Sequence, residues 1–443
     1  MMAEHKHLVD QGAKLVELRL DFIHGGRVNL KRLLTDRPGP VIATCRRERD
    51  GGKWTGSEES RMLLLRTAVA EGGEYGDLEE DSAASFPRYG STKRIISQHD
   101  FKRTPKNLAE IRDRLAALDA DIVKIATMAE HPRDMLRMLE LMRDSEEEMV
   151  GLCMSDIGTP SRILAGKFGA PFTYSTFHHE RALAPGQLSF DQMQDIYHYD
   201  AIDAETDVYG VIGDPIGHSL SPLIHNAAFR HMGLNKVYVP FRIPPDDLSD
   251  FFSFAPELGV RGLSITIPHK ETSIRRMTKV DGAVRAVGAA NTMIFKEAER
   301  VGYNTDYRAA MDSLEQGLAE GAPSGKKPEL KNQTVLMLGA GGVARAIAHG
   351  LNRRGANVVI ANRSLERADA LAQRVGGRSI EWSARHMITA DVIVNCTSVG
   401  MHPEVDETPY DKHYLKPSML FFDTVYNPEN TLLIKDARSR NCR

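Results

Sequence analysis

The amino-acid sequence predicts an α/β protein with more than one domain. In its first part, short apolar runs alternate with segments that carry the one-sided apolar stripe of a helix. Further along, a glycine-rich turn separates an apolar run from a helical segment. The chain has 443 residues. Because domains average about 150 residues, we expect two or three of them.

Seven apolar runs of strand length lie in the first part of the chain. Such runs indicate parallel strands buried on both faces, and the stripe of residues 135–143 fits a covering helix. The alternation predicts a (β/α)8 barrel of the TIM type, one strand short of closure. Polar side chains lie on the runs or just past their carboxyl ends, where such barrels build their sites. The runs are 15–20, 41–45, 75–78, 94–97, 122–126, 150–154 and 172–175, and the side chains are Glu17, Arg19, Arg46, His99, Lys124 and Arg162.

Lys124 stands inside one of the predicted strands, between Val123 and Ile125. An ammonium among aliphatic neighbours is poorly solvated, which favours the neutral amine and its attack on a ketone. Lys124 is therefore interpreted as a lysine that forms a Schiff base. The alternative is a lysine whose stem is buried and whose ammonium reaches solvent at a strand end.

A glycine-rich turn near residue 340 predicts a nucleotide site. It lies between the apolar run 335–338 and a helical segment that reaches about residue 354, and a second apolar run, 358–361, follows. Glycines permit a tight turn and a close approach of the pyrophosphate to the helix N-terminus. This context predicts a Rossmann domain. The turn consists of Gly339, Ala340, Gly341, Gly342, Val343 and Ala344.

The residues after the second of these runs indicate which cofactor is bound. An NAD site usually places Asp or Glu about 20 residues after the turn. This chain has Asn362, Arg363 and then Arg367. A guanidinium pairs with the 2′-phosphate of NADP, which a carboxylate would repel, so we expect NADP(H). The alternative is that both arginines belong to the exposed start of a helix.

Composition narrows the classes of function. The formal net charge is −3 and Lys and Arg are dispersed, which indicates neither a nucleic-acid nor an anionic-membrane partner. The cysteines are far apart and form no zinc or disulfide pattern. No apolar stretch approaches the ~20 residues of a membrane span. We expect small-molecule chemistry without a metal, in a reducing compartment such as the cytoplasm. The oligomeric state is left open.

Six motifs in the first part of the chain point to one family. They are 17–21 (ELRLD), 44–46 (TCR), 97–101 (SQHDF), 123–127 (VKIAT), 161–162 (SR) and 184–187 (APGQ). Together they resemble type I 3-dehydroquinate dehydratase. The resemblance implies that Lys124 forms an imine with 3-dehydroquinate and that His99 moves the proton. A histidine suits that role because it titrates near neutrality.

The resemblance also implies the substrate contacts of this site. Arg162 and Gln187 hold the carboxylate, and Glu17, Arg19 and Arg46 surround the hydroxyls. Structural alternatives remain for each group. His99 can be a hydrogen-bonded structural histidine, and buried Glu and Arg can pair with one another in a polar layer of the barrel.

The rest of the chain resembles shikimate dehydrogenase, which has an α/β substrate domain and a Rossmann NADP domain. The motifs are 213–222 (GDPIGHSLSP), 264–270 (SITIPHK), 288–292 (GAANT), 302–306 (GYNTD), 339–344 (GAGGVA), 362–364 (NRS) and 423–426 (DTVY). The two resemblances follow the order of the fused plant-type bifunctional enzyme. We expect domains at 1–205, 206–312 and 313–443.

For the second site the resemblance implies a catalytic pair, Lys270 and Asp306. A lysine beside a carboxylate can protonate the C3 oxygen while NADPH delivers hydride. The alternative for Lys270 is an ordinary surface lysine, and for Tyr426 a packing role. The residues assigned to the substrate carboxylate are Ser219 and Ser221, those assigned to its hydroxyls are Thr266, Asn291 and Asp306, and Tyr426 lines the pocket.

The chain departs from both families at its ends. The first barrel strand is expected before the helix of residues 3–12, and shikimate dehydrogenases continue past 431–443. We therefore expect a truncated sequence, which leaves room for an upstream plastid-targeting segment. Leu183 stands where Ser or Thr is usual, and Asp50 lies near the place of a glutamate that partners the histidine.

Together the two resemblances imply a bifunctional shikimate-pathway enzyme. It dehydrates 3-dehydroquinate and then reduces 3-dehydroshikimate to shikimate with NADPH. One alternative is a catabolic quinate or shikimate dehydrogenase that uses NAD. Another is a metabolite-sensing regulator that has lost the chemistry.

Overall fold

The computed structural model describes residues 1–23, 29–178, 186–217, 219–320 and 329–443. The chain divides into two compact units, Met1–Leu263 and Ser264–Arg443. The boundary lies within the second expected domain, 206–312, and the division into three domains stays a prediction. Among the described residues, none of the helices has the length and apolar character needed to span a membrane.

The first unit contains a parallel sheet whose six strands follow one another in chain order. This arrangement is an open half-barrel, and it confirms the α/β class and six of the seven strand predictions. Its strands are β1 (Val16–Arg19), β2 (Val41–Thr44), β3 (Tyr75–Glu79), β4 (Lys93–Asp100), β5 (Ile122–Met128) and β6 (Met149–Met154).

Helices connect these strands, as the alternation of patterns predicts. In the longest stripe, Pro132 begins the helix at a position where its missing N–H costs nothing, and Met135, Leu136 and Leu139 are buried. The helices are α1 (Met2–Asp10), α2 (Leu30–Thr35), α3 (Glu58–Ala70), α4 (Glu80–Ala83), α5 (Leu108–Ala116), α6 (Pro132–Arg143) and α7 (Thr159–Ile163).

The seventh predicted strand, residues 172–175, is wrong. This segment is not a strand, and its neighbour Thr176 forms an isolated parallel bridge with Ser189. Phe172 and Tyr174 instead pack against buried apolar side chains of the sheet. An apolar run of four residues cannot distinguish a ladder of hydrogen bonds from extended chain that is held by its aromatic side chains.

The remainder of the first unit begins with a second parallel pair. β7 (Asp207–Gly213) and β8 (Lys236–Arg242) pair along their whole length. Two helices follow these strands, α8 (Ser221–His231) and α9 (Leu248–Phe254), and β9 (Val260–Ile265) contains the boundary between the units.

The second unit contains a five-stranded parallel sheet. The sheet consists of β13 (Thr334–Leu338), β14 (Asn357–Asn362), β15 (Arg378–Glu381), β16 (Val392–Asn395) and β17 (Leu420–Asp423), which lie in the order β15-β14-β13-β16-β17. The unit also has the strands β10 (Lys279–Val280), β11 (Thr292–Lys296) and β12 (Glu299–Tyr303).

The helices of this unit are α10 (Gly282–Val287), α11 (Asp306–Ala319), α12 (Gly342–Arg353), α13 (Leu365–Val375) and α14 (Leu432–Ser439). A buried cluster that includes Val335, Ile347 and Ile360 fixes α12 on the five-stranded sheet. The strand, turn and helix expected around residue 340 are therefore present.

Candidate active sites

One face of the half-barrel changes from apolar to polar along its strands. Its apolar floor is a cluster of Ile42, Ile95, Ile122 and Val150, one from each of four strands. Side chains two residues further along a strand lie on the same face. Ser97 and Lys124 therefore follow the floor, and they face each other in the register of β4 and β5. The candidate dehydratase site lies on this polar level.

Lys124 is the buried amine at this level. Its Nζ donates a hydrogen bond to Oδ2 of Asp77 at 2.8 Å and lies 3.9 Å from Oε1 of Glu17. It also lies 3.9 Å from the centre of the Tyr174 ring. The expected apolar surroundings are therefore only part of its environment, because a carboxylate and an aromatic face hold the amine in place.

Asp77 links Lys124 to the rest of the polar level. Its Oδ1 accepts hydrogen bonds from Ser97 Oγ and from Nη2 of Arg46, both at 2.7 Å. Burial by itself would raise the pKa of Asp77, but Arg46 and Lys124 hold that pKa well below its usual range. Asp77 is therefore a fixed anion beside the amine.

Glu79 extends the same network on β3. It accepts hydrogen bonds from Nη1 of Arg46 at 3.0 Å and from Nη1 of Arg61 at 2.7 Å. Sequence reasoning missed Asp77, Glu79 and Arg61. The signal that could have found the first two is their spacing: they alternate with Leu78 on the strand predicted from 75–78, so both face the interior.

His99 lies one level beyond Ser97 on β4, beside Ala126 of β5. It lines a cavity of about 540 Å³ together with Glu79 and Asp50. Burial and the positive charges of Arg46 and Lys124 lower the pKa of His99 well below its ordinary value. His99 is thus a neutral imidazole at pH 7. Its ring stacks at 5.9 Å on Phe101.

Asp50 lies in the same cavity, but its carboxylate accepts a hydrogen bond from Nε of Arg47 at 2.6 Å. Two other residues expected to contact the substrate also have partners within the protein. Glu17 accepts a hydrogen bond from Thr44 Oγ1 at 2.8 Å, and Arg19 pairs with Asp21 at 2.7 Å. Mutual pairing of acids and arginines therefore describes part of this site.

Arg162 is the exception. Its side chain is 2% exposed, and no carboxylate in the described parts of the chain pairs with it. Its Nε has no partner there, and Nη1 reaches the carbonyl oxygen of Tyr174 at 3.5 Å. Burial lowers the pKa of Arg162 to about 10. Gln187 is half-buried, whereas Leu183 and the motif residues Ala184 and Pro185 lie outside the described residues.

The second candidate site lies in the second unit around Lys270. Its Nζ donates a hydrogen bond to Oδ2 of Asp306 at 2.5 Å, and Nδ2 of Asn291 donates one to Oδ1 of Asp306 at 2.7 Å. The backbone amide of Asp306 is bound by Oδ1 of Asn304 at 3.1 Å. The motifs around 270, 291 and 306 therefore converge as expected. Thr266, which is half-buried, precedes Lys270 on the chain.

The glycine turn fits a dinucleotide. Gly339 has a φ of 110°, and a Cβ there would lie 2.9 Å from the Cys396 carbonyl oxygen. A Cβ on Gly341 would meet nothing within 4 Å, so the turn is open to a ligand. No side chain caps the N-terminus of α12, and its free amides suit a pyrophosphate. Ala340 is buried and Val343 packs on the core of this sheet.

The expected cofactor-selecting residues lie at the end of β14. Asn362 Nδ2 binds the Ser364 carbonyl oxygen at 2.9 Å, which shapes the turn before α13. Arg363 and Arg367 are exposed there. Tyr426 is 64% exposed. In the first unit, Ser219 Oγ accepts a hydrogen bond from the amide of Ser221 at 3.3 Å at the start of α8; His218 lies outside the described residues.

Comparison with known proteins gives three family models in chain order. Type I 3-dehydroquinase matches residues 1–204, the shikimate dehydrogenase substrate binding domain matches 211–293, and shikimate / quinate 5-dehydrogenase matches 322–429. The chloroplastic bifunctional 3-dehydroquinate dehydratase/shikimate dehydrogenase of Arabidopsis thaliana is 36% identical over an alignment 457 residues long. The alignment covers 99% of this chain and 75% of that protein. The chain belongs to this bifunctional family.

Two further relatives match the shikimate dehydrogenase part of this family member. Shikimate dehydrogenase (NADP(+)) of Methanocaldococcus jannaschii is 36% identical and covers 55% of the chain and 86% of its own length. The crystal structure of shikimate dehydrogenase from Aquifex aeolicus has a TM-score of 0.50 at 36% identity, with 55% of this chain and 86% of that chain covered. The family and the fold expected from the sequence are confirmed.

Proposed function

We propose that the chain carries out two successive reactions, dehydration of 3-dehydroquinate at Lys124 and NADPH-dependent reduction of 3-dehydroshikimate at Lys270. The observation that carries the proposal is the pair formed by a buried amine and a buried, unpaired guanidinium on one half-barrel. Lys124 is held by Asp77 at 2.8 Å, while Arg162 lacks a carboxylate among the described residues. The substrate supplies both a ketone and a carboxylate.

At the first site Lys124 acts as the nucleophile. Its Nζ attacks the ketone carbon of 3-dehydroquinate, water leaves, and a protonated imine forms. The imine draws electrons from the neighbouring C2–H bond. Asp77, which is fixed by Arg46 and Ser97, keeps Nζ aimed at one position, and its negative charge stabilises the iminium cation.

His99 then moves the proton. The neutral imidazole, whose pKa is lowered by burial and by nearby cations, takes the C2 proton. It returns that proton to the departing C1 hydroxyl, which leaves as water. Hydrolysis of the imine releases 3-dehydroshikimate and restores Lys124. His99 is therefore base and acid in one cycle, which suits a histidine better than a carboxylate.

The substrate carboxylate goes to Arg162, and Gln187 is the second contact that the family resemblance implies. A buried guanidinium without an anion is unfavourable, so a bound carboxylate gains more here than at an exposed arginine. The substrate hydroxyls would bind Glu17, Arg19 and Arg46. In the structure Glu17 contacts Thr44, Arg19 contacts Asp21, and Arg46 contacts Asp77 and Glu79.

At the second site Lys270 and Asp306 act as a proton-transfer pair. Lys270 donates a proton to the C3 oxygen of 3-dehydroshikimate, and Asp306, at 2.5 Å, stabilises the ammonium that is its source. When bound, NADPH would supply the hydride for that carbon. Asn291 fixes Asp306 through its Nδ2, at 2.7 Å from Oδ1. Thr266 and Tyr426 are the other substrate contacts that we propose in this unit, and the assignment of Ser219 and Ser221 to the substrate carboxylate remains a prediction.

The cofactor would lie on the turn from Gly339 to Val343, with its 2′-phosphate at Arg363 and Arg367. Support comes from the open turn at Gly341 and the uncapped N-terminus of α12. The matched relative from Methanocaldococcus jannaschii is named an NADP(+) enzyme. The partners are small molecules, and the proposed location is the cytoplasm, with the plastid as the alternative that the name of the Arabidopsis relative suggests.

The test is to incubate the purified chain with 3-dehydroquinate and NADPH and to follow the products by mass spectrometry. Shikimate is the expected product. 3-Dehydroshikimate alone would leave only the first reaction, and NADH in place of NADPH distinguishes the catabolic alternative. Soluble protein that forms neither product would contradict the proposal and favour a regulator.

A further inference from the structure

Glu271, the residue after Lys270, contacts two arginines near the proposed cofactor site of the second unit. Its Oε2 lies 2.9 Å from Nη2 of Arg345 on α12, and its Oε1 lies 3.8 Å from Nη2 of Arg367 on α13. The three side chains are 34%, 26% and 57% exposed. One carboxylate therefore bridges the first turns of α12, which follows the dinucleotide turn, and α13, which follows β14.

The two arginines lie where a dinucleotide carries negative charge. Arg345 is in the first turn of α12, with its amide bound to the Gly341 carbonyl oxygen at 3.0 Å. Arg367 is in the first turn of α13, where its amide donates a hydrogen bond to Oγ of the capping residue Ser364. An acid at this position opposes phosphate binding twice, because it repels the phosphates and occupies the guanidinium groups.

We propose that Glu271 is a resident anion that occupies Arg345 and Arg367 when no cofactor is bound, and that the phosphates of NADPH displace it. Glu271 is then a specificity-determining residue, because a cofactor must outcompete it, and NADPH brings the extra 2′-phosphate for Arg367. The inference rests on the proposed cofactor site.

The arrangement also connects cofactor binding to the catalytic lysine. A Cβ on Gly342 would lie 3.2 Å from Cβ of Lys270, so the turn and the segment 270–271 are in close contact. Release of Glu271 by the phosphates frees the residue next to Lys270 once the cofactor is in place.

The test measures dissociation constants of NADPH and NADH by calorimetry, without turnover, for Glu271→Gln. We expect the NADPH constant to fall on the order of fivefold, since a partly exposed charge pair contributes about 1 kcal/mol, and the NADH constant to fall less. Glu271→Asp, which keeps the charge but withdraws it from Arg345, should lie between wild type and Glu271→Gln. Glu366→Gln removes another carboxylate from the same helix start and serves as the matched control.

An unchanged or higher NADPH constant in Glu271→Gln would overturn the inference, and so would an equal gain in the Glu366→Gln control. Arg367→Gln separates this failure from that of the proposed cofactor site. If Arg367→Gln keeps the full preference for NADPH, the cofactor assignment itself is wrong. If it loses the preference while Glu271→Gln binds as wild type does, only the role of Glu271 is refuted.

Discussion

The two lysines that we propose as catalytic have the same kind of partner but very different surroundings. Lys124 is 6% exposed and its partner Asp77 is 0% exposed, whereas Lys270 is 17% exposed and Asp306 is 23% exposed. The first pair belongs to a closed network of acids, arginines and an aromatic ring. The second is linked mainly to Asn291. A lysine that forms a covalent bond must be held at one position, whereas a proton donor must exchange protons with water after each turnover.

The largest expected effect separates the two lysines. Lys124→Met should lower dehydratase kcat by more than about 10⁴-fold, since it removes the nucleophile, and leave the reduction of added 3-dehydroshikimate unchanged. Lys270→Met should do the reverse, with a loss of about 10²–10⁴-fold in reduction. Separate assays of each half-reaction measure this. Loss of both activities in either soluble variant would contradict two independent sites.

Two buried arginines of the first unit offer the next comparison. Arg162→Met removes a cation that has no carboxylate partner among the residues that the structure describes, so we expect unchanged or higher stability but a KM for 3-dehydroquinate raised by about 10²-fold. Arg46→Met leaves Asp77 and Glu79 buried with too little positive charge, and should lower the free energy of unfolding by about 3–5 kcal/mol. Urea unfolding and initial rates measure both. Equal destabilisation by the two substitutions would refute the distinction.

The pH dependence of the two reactions should differ because of His99. Its pKa in the folded state lies well below 6.5, so dehydratase kcat/KM should stay level as the pH falls from 7 to 6. In the unfolded chain His99 binds a proton near pH 6.5, whereas in the folded chain it stays neutral at that pH. The free energy of unfolding should therefore fall as the pH drops below 6.5. His99→Gln should show a weaker fall. A fall in dehydratase kcat/KM toward acid pH with its midpoint at pH 6.5 or above would contradict the lowered pKa of His99.

The smallest effect concerns the contact between the glycine turn and Lys270. Gly342→Ala places a Cβ 3.2 Å from Cβ of Lys270, which should displace the lysine and lower kcat of the reduction on the order of tenfold. Gly341→Ala, whose Cβ meets nothing within 4 Å, should leave Lys270 in place and act only through NADPH affinity. Steady-state kinetics with each cofactor concentration varied separates these effects.

Much of this molecule could be predicted from its sequence. Six half-barrel strands and the turn at 339–344 follow from apolar periodicity and glycine placement. The partners of Lys124 could not be predicted, because Asp77 reaches it only through the order and register of neighbouring strands. The failed strand at 172–175 has a similar cause, since its aromatic side chains pack without a ladder. The difference between Arg46, which pairs with two carboxylates, and Arg162, which pairs with none in the described part of the chain, also depends on three-dimensional neighbours.

Borohydride trapping tests the central claim, that the two lysines perform different chemistry, most directly. The soluble chain is reduced with borohydride in the presence of 3-dehydroquinate, and its peptides are analysed by mass spectrometry. A mass increase on the peptide that contains Lys124, and none on the peptide that contains Lys270, is the predicted result. Substrate attached to the Lys270 peptide, or no attachment to the Lys124 peptide, would contradict the account.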